Sequence, residues 1–240
     1  MVKYSETADV ETASIGYAAR FSGDIGQYFL ARQAAITLKL LHDMPGVRML
    51  DVGGGHAQLA GPLSKEGFDV TVTGSTDSCG IALGQRVSRK QVNYLSCDSL
   101  NLPFDDASFD VVLSFRLLSH AEHWQELIAE LCRVASACVI IDYADKRSSN
   151  IFYDLFFGMK QKLEGDTRPF ILFSRSQISQ EFRKNGFSAP RFRPEFLLPM
   201  VVHRKLNNRT FSTLIENLFR WTGLTRLFGA PVILRSDRLD

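Results

Sequence analysis

The chain has 240 residues, 45% of them hydrophobic and 22% charged, with a net charge of +2. That balance suits one α/β domain with a full buried core and excludes a disordered or low-complexity chain. No apolar run approaches the ~20 residues that cross a bilayer. Met1 to Ser14 is acidic and polar, unlike a secretory or transit leader, so a cytoplasmic chain is expected. Cys79, Cys97, Cys132 and Cys138 form no Cys-x-x-Cys pair, which points to reduced thiols and no metal site. The charge is unevenly spread. Residues 1–145 hold 11 Lys/Arg against 18 Asp/Glu, and residues 146–240 hold 17 against 8. The basic half could face an anionic substrate, nucleic acid or an acidic membrane surface, or simply spread over solvated helix faces.

In chain order, residues 24–41 read as a helix, because Ile25, Phe29, Ile36 and Leu40 recur at helical spacing. Pro45-Gly46 stops it. Strand-like apolar runs follow at Val47 to Val52, Asp69 to Thr73, Val92 to Ser96, Phe109 to Phe115 and Ala137 to Tyr143. Helical stretches lie between them at 56–66, 77–88 and 119–135. Alternating strands and crossovers predict a parallel, doubly wound sheet, covered on both faces where Val111-Val112-Leu113 and Val139-Ile140-Ile141 are continuously apolar. After Tyr143 come a polar linker (144–150), an aromatic stretch (151–159) and a helix over 174–185, capped by Ser174 and closed by Gly186. Strands are expected at Phe196 to Val202 and Pro231 to Arg235, with a helix over 211–228 between them.

Asp51-Val52-Gly53-Gly54-Gly55-His56 puts a strand directly before three glycines and a helical stretch after them. Glycines let backbone N–H groups approach a ligand at a helix start. Gln58 stands where a dinucleotide fingerprint needs Gly or Ala, so NAD or FAD is disfavoured. This turn resembles motif I of the class I S-adenosylmethionine (SAM)-dependent methyltransferases. Cys97-Asp98-Ser99-Leu100-Asn101-Leu102-Pro103-Phe104, followed by Ser108-Phe109-Asp110-Val111-Val112, is similar to the signature of the ubiquinone- and menaquinone-biosynthesis-type (type 11) branch. Phe115 to His120 with Trp124, and Phe173 to Gly186, resemble later segments of the same branch.

The resemblance implies a Rossmann-like sheet of about seven strands, the last antiparallel, in one domain. Residues 1–44 would form a helical lid, 45–145 the SAM-binding core, and 146–240 the remaining sheet with an acceptor-side helical insert and cap. It implies that Asp51 orders the loop, while Gly53, Gly54 and Gly55 pass beneath the methionine part of SAM, with His56 touching the cofactor. Asp98 would accept from the adenine amino group beside the Ser99 backbone, and Phe115 would line the floor. The family usually carries an acid at the end of the second strand to hold the ribose hydroxyls. Gly74 stands there, so Ser75, Asp77, or backbone and water would take that place. Tyr17 or Arg20, in the lid, could meet the methionine carboxylate.

Methyl transfer needs alignment more than covalent help. His120, just after the fourth strand, is the candidate base for an acceptor that needs one; His120 and His123 lack a third ligand for a metal. Phe152, Tyr153, Phe156, Phe157, Phe170 and Phe173 concentrate aromatic surface suited to a small, mostly apolar acceptor. The apolar stripe of 211–228, flanked by Arg209, Arg220 and Arg226, could pack on the core, cover the pocket, dimerise or lie on a membrane. A monomer and a homodimer both remain open. DNA is not an expected partner, and RNA is disfavoured because no RNA-binding module is recognisable. The alternatives are an RNA or protein methyltransferase docking through the basic half, and a scaffold without SAM.

Overall fold

The computed structural model describes residues 6–44, 46–89, 91–148 and 171–239. Three helices come first: α1 (Ala8–Thr12), α2 (Ile15–Ala19) and α3 (Gly23–Leu40). α2 starts where Ser14 stays extended and its side chain accepts from the Tyr17 N–H. α3 buries Ile25, Phe29, Ile36 and Leu40, the stripe its spacing predicts. The alternating region follows as β1 (Arg48–Val52), α4 (Ala60–Lys65), β2 (Asp69–Gly74), α5 (Gln85–Ser88), β3 (Asn93–Ser96) and β4 (Phe109–Ser114). Next come α6 (Trp124–Val134), β5 (Ala135–Tyr143), α7 (Arg175–Lys184) and β6 (Arg191–Phe196). The chain closes with α8 (Met200–Leu206), α9 (Arg209–Trp221), α10 (Leu224–Phe228) and β7 (Ala230–Asp237).

The seven strands form one sheet in the order β3-β2-β1-β4-β5-β7-β6. β1 to β5 pair in parallel, and β7 runs antiparallel between β5 and β6. Strand order therefore reverses between β1 and β4, and the crevice at that switch point opens at the carboxyl ends of the strands. Both faces are apolar. Leu50, Val52, Val112, Val139 and Ile141 pack toward α6 and α7, while Met49, Val70, Val111, Leu113 and Ile140 pack toward α3 and α4. A third cluster of Tyr17, Phe21, Ile25, Tyr28, Phe29 and Phe196 fastens the amino-terminal helices to the end of β6. Each fully buried side chain of this size contributes about 1.5–3 kcal/mol.

Two expectations beyond Tyr143 fail. The apolar run at 196–202 is not a strand: β6 ends at Phe196, and α8 begins after Pro199. Proline breaks the ladder there, and the N–H groups of Leu197 and Leu198 donate to the Glu216 carboxylate instead of to a strand. The helix over 211–228 is two helices, α9 and α10, parted by Gly223 in the left-handed region (φ 80°). The helix read at 56–66 is α-helical at Ala60–Lys65, after a 3-10 turn at Gly54–His56, whereas the one read at 77–88 is largely the 3-10 turn Asp77–Leu83 followed by a short α-helix. The helix after Phe173 has the expected Ser174 cap, completed by a capping box with Gln177. Phe152, Tyr153, Phe156, Phe157 and Phe170 lie outside the described residues.

Candidate functional site

The carboxyl edge of the sheet carries two neighbouring groups of polar residues. The first surrounds the turn after β1. Gly53 is left-handed (φ 73°), and the chain folds over Asp51 so closely that a Cβ at position 54 would lie 2.1 Å from its Oδ2. Only glycine fits there. Asp51 is fully buried, and neither carboxylate oxygen has a hydrogen-bond partner. Burial pushes its carboxyl up to about 7. His56 has both ring nitrogens engaged: Nδ1 accepts from the Gln58 N–H, and Nε2 contacts the Phe115 carbonyl (both 3.2 Å). Desolvation lowers it to about 4, so it is a neutral clamp between the glycine turn and the end of β4. Phe115 is itself fully buried, in the core on the α3 and α4 side.

At the end of β2, Gly74 has a steric reason. A Cβ at position 74 would meet the Tyr94 hydroxyl at 2.5 Å, and that hydroxyl donates to the Thr76 carbonyl. No acid fits at this position, but one arrives from elsewhere. Asp9, in α1, accepts from the Ser75 N–H through Oδ2 and from the Ser75 hydroxyl through Oδ1, both at 2.6 Å. Glu6 makes a parallel contact: its Oε2 accepts from the Glu122 N–H (2.8 Å). Two carboxylates of the amino-terminal segment thus latch it across the sheet edge. At the end of β3, Asp98 Oδ1 accepts from the Leu100 N–H (3.0 Å), with half-buried Ser99 between them.

The second group lies over β4, β5 and β6. Arg116, just past β4, is held at φ 61°, a conformation costly for a side chain of its size. Its N–H donates to Asp142 Oδ1 (2.6 Å) and its Nη2 to Gln33 Oε1 (2.7 Å). The guanidinium also lies 3.3 Å from Asp142 Oδ2 and 3.7 Å from Glu195 Oε1, and over the Phe21 ring. Asp142 and Glu195 stand at the carboxyl ends of β5 and β6. Glu195 is fully buried, neither of its oxygens has a hydrogen-bond partner, and burial pushes its carboxyl up to about 7 despite Arg116. Tyr17 is buried against this group, where desolvation raises its phenol while Arg116 lowers it. Arg20 is exposed, with its guanidinium over the Tyr17 ring. Burial raises the Asp142 carboxyl, opposed chiefly by Arg116 and to a smaller extent by His120, which ends the 3-10 turn Leu118–His120.

The structure therefore gathers Asp51, Gly53, Gly54, Gly55, Gly74 and Ser75 along the ends of β1 and β2, and Tyr17 with His120 around the ends of β4 and β5. Sequence reasoning missed Asp9, Glu6, Arg116, Asp142 and Glu195. Asp142 carried a signal, as a lone carboxylate inside the apolar run Val139 to Tyr143. Asp9 carried none, because its partner lies 66 residues away.

This sheet order, with its glycine turn at the switch point, is the Rossmann-like fold of the class I methyltransferases. Residues 50–137 match the family model of the type 11 methyltransferase domain. A phthiotriol/phenolphthiotriol dimycocerosates methyltransferase of Mycobacterium tuberculosis is 34% identical over 110 residues, 45% of this chain and 41% of that protein. The match thus spans about two-fifths of the length of that curated relative. Among solved structures, the magnesium protoporphyrin IX methyltransferase of Synechocystis with bound SAH is similar across 96% of this chain and 97% of its own, with a TM-score of 0.66 and 18% identity. The cyclase SpnF is similar across 86% of this chain and 80% of its own, with a TM-score of 0.58 and 17% identity.

Proposed function

We propose that this chain transfers the methyl group of SAM to a small, mostly apolar acceptor. The observation that carries the reading is the glycine turn closed over the partnerless carboxylate of Asp51. A buried carboxylate without a donor is costly, and a cationic or N–H donor ligand answers it. The narrow glycine turn leaves backbone for the ligand to lie against, as a methionine-bearing nucleoside requires. The residues present fit SAM, which supplies an activated methyl group when bound.

In this reading Gly53, Gly54 and Gly55 lie beneath the methionine part, and Asp51 answers its positive charge. Asp9, anchored by Ser75, replaces the strand-end acid that Gly74 cannot carry and accepts from the ribose hydroxyls. Asp98 and Ser99 hold the adenine, and Arg20 at the lid edge pairs with the carboxylate. His56 and Phe115 act through the floor, fixing the turn against β4. The acceptor belongs to the other half of the edge, under Tyr17 and Phe21. There a proton released on methylation passes to His120 or to Glu195, whose carboxyl near 7 suits exchange at neutral pH. An apolar acceptor is supported by the relative named for phthiotriol dimycocerosates.

Titration calorimetry with S-adenosylhomocysteine tests the reading. Micromolar binding is expected for the wild type, weakened about tenfold or more in Asp98→Ala, as the loss of a charge-assisted hydrogen bond implies. A folded wild type that binds nothing overturns it and leaves a scaffold.

A further inference from the structure

α9 is turned inside out. An amphipathic helix on a protein surface ordinarily buries its apolar face, and here the buried residues are polar. Ser212 and Glu216 are fully buried. Glu216 accepts from the N–H groups of Leu197 and Leu198 and contacts His203 Nε2 (3.2 Å), while His203 Nδ1 lies 2.9 Å from the Ser212 hydroxyl. This network fixes the rotation of the helix. Phe211, Leu214, Leu218 and Trp221 consequently face solvent, with Leu214 64% and Trp221 84% exposed. Their spacing of three, four and three residues places them on one face. α10 continues the patch with exposed Leu224, Leu227 and Phe228. Seven large apolar side chains on one continuous segment exceed the scattered exposure normal for a monomer and mark an interaction surface.

Charge selects the occupant. From Met200 to Phe228 the charged residues are Arg204, Lys205, Arg209, Arg220, Arg226 and Glu216. Glu216 is buried, so this segment has no exposed acid of its own, and its exposed cations are Lys205, Arg209 and Arg226, Arg209 being paired with Asp24 of α3. A second copy docked symmetrically would set these like charges against each other. An anionic lipid surface complements both the cations and the apolar stripe, and indole and phenyl rings suit the headgroup boundary. Among the described residues no helix is long and apolar enough to cross a membrane, so contact would be in the plane of the surface.

We infer that α9 and α10 form a peripheral membrane-docking face that inserts Phe211, Leu214, Leu218 and Trp221 among anionic lipids. Leu197 and Leu198, tied to Glu216, lie just beyond Glu195 in the chain, so docking would bring the acceptor half of the sheet edge to the bilayer. The docking itself does not depend on the methyltransferase reading.

The test is co-sedimentation of the full chain with vesicles of phosphatidylcholine, with and without phosphatidylglycerol, together with Trp221 emission in a Trp124→Phe background. Binding is expected to rise about tenfold or more with the anionic lipid, to weaken with added salt, and to shift Trp221 emission to the blue. Leu214→Ser with Trp221→Ser alters only exposed positions and should abolish binding, with the thermal melt unchanged. Absence of binding to anionic vesicles, or equal binding by the double variant, overturns the inference. So does a wild-type dimer in light scattering that the double variant converts to monomer, which would make a second copy the occupant.

Discussion

Replacing Asp51 by asparagine should make the ligand-free protein more stable at neutral pH while weakening its ligand binding. Burial raises the folded-state carboxyl from 3.8 to about 7. Below the unfolded value both states are protonated, and the group costs nothing. As pH rises through the window from 3.8 to about 7, the unfolded carboxyl ionises while the folded one resists, and the folded state loses stability progressively. A difference of about three pH units is worth about 4 kcal/mol by about pH 7.5, and about 1.5 kcal/mol at about pH 5. The Asp51→Asn variant keeps the shape without the charge and escapes this cost. Urea denaturation at the two pH values should show Asp51→Asn more stable by a few kcal/mol at the higher pH, with less than half that advantage at the lower. Saturating S-adenosylhomocysteine should reverse the order, because the wild-type carboxylate gains its missing cationic partner and the variant does not. Equal stability of the two proteins at about pH 7.5, or an advantage independent of pH, would refute the reasoning. Either result would mean that the carboxylate is solvated or hydrogen-bonded in the folded protein.

Asp9→Ala should weaken S-adenosylhomocysteine binding about tenfold or more, the worth of charge-assisted hydrogen bonds to hydroxyls. Calorimetry would show it, and Asp9→Glu, with the carboxylate retained, should recover part of the loss. Glu195→Gln should flatten the rise of turnover through about pH 7 in a single-turnover pH profile, since the group that titrates there is gone. An unchanged profile would assign that proton to His120.

The half of the molecule governed by local pattern was legible. β1 to β5 are short apolar runs between glycines and turn residues, and each falls within two residues of its expected bounds. The glycine turn was legible because its chemistry is contiguous. Beyond Tyr143 tertiary contacts overrule local preference. The run at 196–202 is as apolar as any strand, yet Pro199 and the Glu216 carboxylate turn it into a bend and a helix. That shift hid Glu195, which then stood outside the expected strand instead of at the carboxyl end of a real one. α9 misled in the same way, because its apolar stripe reads as a core face, and the buried His203–Ser212–Glu216 contacts that rotate it outward join residues on separate helices. Asp9 was hidden by distance along the chain alone. Gly74 records the absence of an acid, and nothing near it in sequence says where the replacement comes from.

The two halves of the sheet edge differ in what they can decide. The proposed ligand site of the glycine turn, the Asp9–Ser75 latch and Asp98 says little about the reaction, and the same fold serves both a methyltransferase and a cyclase. In the proposed reading chemistry is chosen on the other half, where strain and charge are concentrated. Arg116 is held left-handed so that one guanidinium can serve Asp142, Gln33 and Glu195 together. An arrangement this costly adds little net stability, since hydrophobic residues of similar volume would often do as well or better. Burial holds the Glu195 carboxyl up near 7, and Arg116 keeps it from rising further. An acceptor with a single polar group on an apolar body would set that group against Glu195 and the remainder against Tyr17 and Phe21. In the proposed reading, substrate selection would therefore reside in the pairing of β6 with the amino-terminal helices.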